Sequence, residues 1–131
     1  MIRLCSADEA IEILNQPQIA ERVGLVTDKL SVQPWIAYQG NYKMLFVFWL
    51  VSDGVYEMHI ACPKESIIKS RELAIEALNF ALSNGANVVI TNCPEGKIAN
   101  MARKIGMTET KIETDKVWFE VKYGNWSGDS R

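Results

Sequence analysis

Residues 35–62 constrain the fold more than any other stretch. They read "WIAYQ", Gly40-Asn41, "KMLFVFWLV", "SDG" and "VYEMHIAC". Two short turn signals separate three apolar runs rich in aromatic and β-branched residues. Connections that short predict an antiparallel meander. "MLFVFWLV" (44–51) is far too short to cross a bilayer as a helix, so no membrane span is expected. It is expected instead as a central strand with side chains buried on both faces.

After the meander the period changes. Leu73, Ala74, Ala77, Leu78, Ala81 and Leu82 recur at helical spacing, which predicts a helix over 70–83, stopped by "SNGA". "NVVITN" (87–92) is the next strand. A helix joining it to residue 62 implies a right-handed parallel crossover. A further helix is predicted over 96–105, ended by Gly106. A terminal hairpin follows, "TKIET" and "KVWFEVKY" (116–123), turning at Thr114-Asp115. Ahead of the meander, Ile2–Leu4 reads as a short strand. Ser6 with Glu9 makes a capping-box start for a helix to about Asn15. Pro17 opens a second short helix that Gly24 ends. The expectation is one α+β domain over 1–124 with a mixed, mainly antiparallel sheet. The polar, glycine-rich tail 125–131 is expected to be mobile, with Trp126 its one docking residue.

The chain of 131 residues is long enough to bury a core without disulfides or metals. Its net charge of −2 is mixed along the sequence, so no basic stripe exists for nucleic acid. Cys5, Cys62 and Cys93 form no CxxC pair and read as reduced, buried thiols, not as a metal site. The first ten residues carry no apolar signal segment, so a cytoplasmic location is expected.

The chemistry is expected at the junction "HIACPKESIIKSR" (59–71). Nucleotide sites often place glycines where a strand turns into a helix, so that backbone N–H groups reach phosphate. This junction has none between Gly54 and Gly85. The order β, α, α, β, β, β, α, β, α, β, β resembles the GCN5-related N-acetyltransferase (GNAT) fold. Three stretches carry the resemblance: "GVYEMHIACP", "SRELAIEALNFALSNGANVVITN" and "IANMARKIGM". It implies that the family's fourth and fifth strands run parallel and splay apart, with acetyl-CoA in the gap. It also implies a pyrophosphate loop of pattern Gln/Arg-x-x-Gly-x-Gly/Ala at the start of the long helix.

The sequence departs from that pattern. Ser66 stands near the initial Arg, and Ile67, Lys69 and Arg71 stand near the glycines. Ala102 occupies the place of the tyrosine that reprotonates the coenzyme thiolate, and Glu95 that of an asparagine. Ser66, Lys69 and Ser70 are left as anion-binding candidates, with the backbone of Ile60, Ala61 and Cys62 as the element that aligns a thioester. Lys64, Arg71, Lys97, Arg103 and Lys104 complete a local basic rim. Glu57 and His59 share one strand face by the period-two rule and are the candidate general bases. Ile67 and Ile68 are expected to pack, at least one of them closing the cleft.

Two functions follow. One is a GNAT-fold binding module that is non-catalytic and requires no cofactor. It would take a protein partner or self-associate, as in the small GNAT-like head-assembly and virion proteins of tailed phages that this sequence is similar to in size. The other is an active acyl-CoA-dependent N-acetyltransferase, using acetyl-CoA through an atypical loop.

Overall fold

The computed structural model describes residues 1–6, 8–9, 30 and 33–126. β1 (Ile2–Leu4), β2 (Trp35–Gln39), β3 (Tyr42–Ser52) and β4 (Val55–Ala61) are followed by a 3-10 helix, Lys64–Lys69. Then come α1 (Ser70–Ser83), β5 (Val88–Pro94), α2 (Lys97–Lys104), β6 (Thr108–Glu113) and β7 (Lys116–Lys122). The strands form one seven-stranded sheet in the order β1-β2-β3-β4-β5-β7-β6. Every neighbouring pair is antiparallel except β4–β5. This is a mixed α and β architecture, as the alternation of periods implies.

Local chemistry explains the turns. Gly54 ends the β3–β4 hairpin at φ +73, and a Cβ there would run into the Asn87 amide. Asn87 in turn donates its backbone N–H to the Gly54 carbonyl at 2.8 Å, tying the hairpin to the entry of β5. Ser6 Oγ accepts the Glu9 N–H at 3.1 Å, the first bond of the expected capping box. The helices expected up to Asn15 and from Pro17 to Gly24 lie outside the described residues.

The core sits between one sheet face and the two helices. Met44, Phe46 and Phe48 of β3, Met58 of β4, Val89 of β5 and Phe119 of β7 are buried there. They meet Leu73, Ala77, Leu78 and Ala81 of α1 and Ala99 and Ala102 of α2. Small residues on both helices let them lie close to the large aromatic strand residues. Phe46 and Phe48 meet edge to face at 5.4 Å. The other face carries a smaller cluster of Cys5, Ile36 and Leu45.

Burial on both faces of β3 runs only from Met44 to Phe48. Leu50 and Val51 are exposed, so the expectation for 44–51 fails in its last third. The strand overruns the covered part of the sheet, and its pairing with β4 shifts register between Leu50 and Ser52. At the other end of the chain, Trp126 docks: its indole N–H donates to the Ile105 carbonyl at 2.9 Å.

Candidate functional site

The parallel pair β4–β5 is short. Its register runs Val55↔Val88, Tyr56↔Val89 and Glu57↔Ile90, and then stops. Both strands continue, each held by its outer neighbour. β4 stays paired with β3 as far as Ala61↔Leu45, and β5 with β7 as far as Pro94↔Lys116. The outer pairings follow the sheet's twist, so the inner edges part. Thr91 Oγ1 donates to the Met58 carbonyl at 2.9 Å and marks where the wedge opens.

Backbone polarity alternates along a strand. Since the Met58 carbonyl points to β5, the N–H and C=O of Ile60 also face the wedge. Within it lies a cavity of about 310 Å³, walled by Met58, Ile60, Cys93, Ala102, Ile105 and Met107. Its lining is mostly apolar. His59 and Lys116 border it. Cys62 and Cys93 are pushed above the ordinary thiol value chiefly by burial, with Glu65 and Glu95 respectively adding to it. They are therefore thiols, and poor nucleophiles. Among the described residues no cluster of side chains suits a metal ion.

Met101 also lines a second cavity, of about 390 Å³, between the start of α1 and one face of α2. Its walls include Ile68, Ser70, Arg71, Lys97, Asn100 and Lys104. In sequence this is the glycine-free junction. In space it is a 3-10 helix running directly into α1. The Ser66 N–H donates to the Pro63 carbonyl at 2.8 Å, and the Ser70 N–H donates to the Ile67 carbonyl. These two N–H groups are thus spent on the chain's own carbonyls.

The anion-binding candidates thus separate. Ser66 is fully buried, and its Oγ accepts the Lys43 N–H at 2.9 Å. Lys69 is the N-cap of α1 without a side-chain capping bond. Ser70 alone of the three lines the second cavity. Ile60 lines the wedge, Cys62 packs on the main core, and Ala61 packs on the smaller cluster of the opposite face.

The basic rim forms in part. Arg71, Lys97 and Lys104 converge on the second cavity. Arg103 does not join them. It is clamped by Glu95 at 2.8 and 2.9 Å and by Glu109 at 2.7 Å. Hydrogen bonding to Arg103 also holds the Glu95 carboxyl below its ordinary range. Glu95 is thereby drawn onto Arg103 rather than left as a lone charge at the cleft.

Ile67 and Ile68 overturn the expectation that one of them closes the cleft. They are 59% and 77% exposed and stand outside as the second cavity's outer wall. The 3-10 turn explains this, because it points Ser66 inward and the next two residues outward.

Glu57 and His59 come together as the period-two rule implies. His59 Nε2 lies 2.6 Å from Glu57 Oε2, and the imidazole packs on Trp49 with ring centres 4.1 Å apart. With Nε2 donating to the carboxylate, a neutral ring keeps its lone pair on Nδ1. Trp49, Thr91 and Met101 are site residues that sequence reasoning did not single out. Only Trp49 had a signal, lying directly opposite Glu57 once the hairpin register is drawn.

Comparisons with known proteins agree on the fold. No family model matches the sequence, and no curated protein is similar enough in sequence to match. Solved acetyltransferase structures match throughout. Spermidine N-acetyltransferase from Vibrio cholerae, in complex with CoA and spermine, superposes with a TM-score of 0.74 at 11% identity. The match covers 95% of this chain and 96% of that one. The Campylobacter jejuni N-acetyltransferase PseH, in complex with acetyl coenzyme A, gives 0.72 at 12% identity, covering 93% and 99%. A Bacillus subtilis acetyltransferase in complex with CoA gives 0.61 at 14%, covering 92% and 97%. The chain therefore has the GNAT fold. Among the described residues, no helix is long and apolar enough to cross a membrane.

Proposed function

We propose that this GNAT-fold chain is a binding module that does not carry out acetyl transfer from acetyl-CoA. The observation that carries this reading is the 3-10 helix at Lys64–Lys69, which turns junction N–H groups onto Pro63 and Ile67 carbonyls. A pyrophosphate there meets cationic side chains but no backbone cradle. Ala102 supports the same reading: it borders the wedge with a methyl group where an acid would have to protonate the departing thiolate. The exposed Ile67 and Ile68 beside lysines suit contact with another macromolecule, as in an assembly such as a phage head or virion.

One observation favours the second reading, an acyl-CoA-dependent N-acetyltransferase. His59, held by Glu57, borders an open wedge, as a general base for an amine would. Release of free thiol from acetyl-CoA in the presence of simple amines and polyamines separates the two. The expected result is no release above the uncatalysed background. Turnover in the ordinary enzymatic range, about 1 s⁻¹ or faster, would establish the transferase instead.

A further inference from the structure

The molecule keeps one half of a coenzyme site and replaces the other. The kept half is the wedge: an apolar cavity flanked by the strand edge at Ile60, which suits a thin chain of amide groups ending in sulfur. The replaced half is the phosphate cradle. In its place stand two exposed isoleucines and five cations: Lys64, Lys69, Arg71, Lys97 and Lys104. None of the five is in an ion pair among the described residues. Glu65 and Glu72 share the segment, which leaves it positive within a chain of net charge −2.

We propose that this surface docks an acidic carrier protein whose covalently attached 4′-phosphopantetheine arm enters the wedge between β4 and β5. The inference rests on the reading above, that free acetyl-CoA is not the occupant. Three features converge on it. The arm carries the same amides and sulfur as the coenzyme, so the wedge serves it unchanged. It ends in a single phosphate joined to a serine, which one or two cations satisfy without a backbone cradle. Ile67 and Ile68 lie outside the wedge, on the outer wall of the second cavity, where the arm gains little from them. A protein surface with apolar residues set among carboxylates covers them and meets the surrounding lysines with opposite charge.

The test titrates the whole protein with three probes: an acidic acyl carrier protein in its phosphopantetheinylated form, the same carrier without the arm, and acetyl-CoA. The expected result is that the armed carrier binds at least about tenfold more tightly than either other probe. Replacing Lys97 and Lys104 by Glu should abolish that difference, while the thermal unfolding midpoint stays within a few degrees. Ile68→Ser should weaken both forms of the carrier and leave acetyl-CoA unchanged. Equal binding of the armed and unarmed carriers, or no binding of either, overturns the inference while leaving the non-catalytic reading standing. Low-micromolar acetyl-CoA binding overturns that reading itself, and the inference with it.

Discussion

Ser66 shows how a side chain that invites a functional reading serves the fold instead. Its hydroxyl is the acceptor for Lys43 N–H, which otherwise loses its partner in a buried place. Ser66→Ala should cost about 1–3 kcal/mol, read as a lower urea midpoint with an unchanged slope. Ser66→Cys should recover little, since sulfur is a weak acceptor. No sequence rule finds this bond, because it joins positions 23 apart through the packing of the 3-10 helix on β3. Glu57 and His59 were legible for the opposite reason: two residues on one strand share a face whatever surrounds them. A second residue-scale effect is acid sensitivity. Arg3 bonds both oxygens of Glu9, at 2.8 and 2.7 Å, and that bonding lowers the Glu9 carboxyl to about 2 from its ordinary 4.5. A depressed carboxyl stabilises the fold above its unfolded value, and the effect is lost as pH falls through the folded one. The stability gap between the natural protein and Arg3→Leu should therefore be full above pH 4.5 and close as pH falls through about 2, measured by urea unfolding across that range.

The strands and α1 were readable because each repeats a period over enough residues to show it. Ser70–Ser83 gives nearly four turns of one apolar stripe. Lys64–Lys69 has only six residues, too few for a helical period to show, and its 3-10 turn lies where such turns are frequent, at the N-terminus of an α-helix. The same element decides what becomes of Ile67 and Ile68. Since both are mainly exposed, Ile67→Gly with Ile68→Gly should cost only the helical penalty of glycine, about 1 kcal/mol each. It should produce no acetyl transfer, because Ala102 is unchanged. A loss well above that, in a calorimetric scan, would mean that one isoleucine does pack into the cleft. The β6–β7 hairpin carries a different strain. Thr114 and Asp115 both hold positive φ, 52 and 62, in a two-residue turn that favours Asn-Gly. Thr114→Asn with Asp115→Gly should raise stability by about 1 kcal/mol, seen as a higher unfolding midpoint.

At the scale of the whole molecule, the wedge is a property of the sheet and not of any motif. β3 and β7 hold the outer edges of β4 and β5 beyond Glu57 and Ile90, and the inner edges separate. A sequence names the strands but not where a pairing ends, so the splay was legible only through family resemblance. What the sequence did display was a junction without glycine, and the structure shows what that junction becomes: a 3-10 helix in which the Ser66 and Ser70 N–H groups donate to the Pro63 and Ile67 carbonyls. Isothermal titration with acetyl-CoA at moderate salt addresses this most directly. Without a backbone cradle, the dissociation constant should be about 100 μM or weaker, equivalent to roughly 5.5 kcal/mol, and it should weaken further as salt rises. Low-micromolar binding that salt leaves unchanged would contradict it.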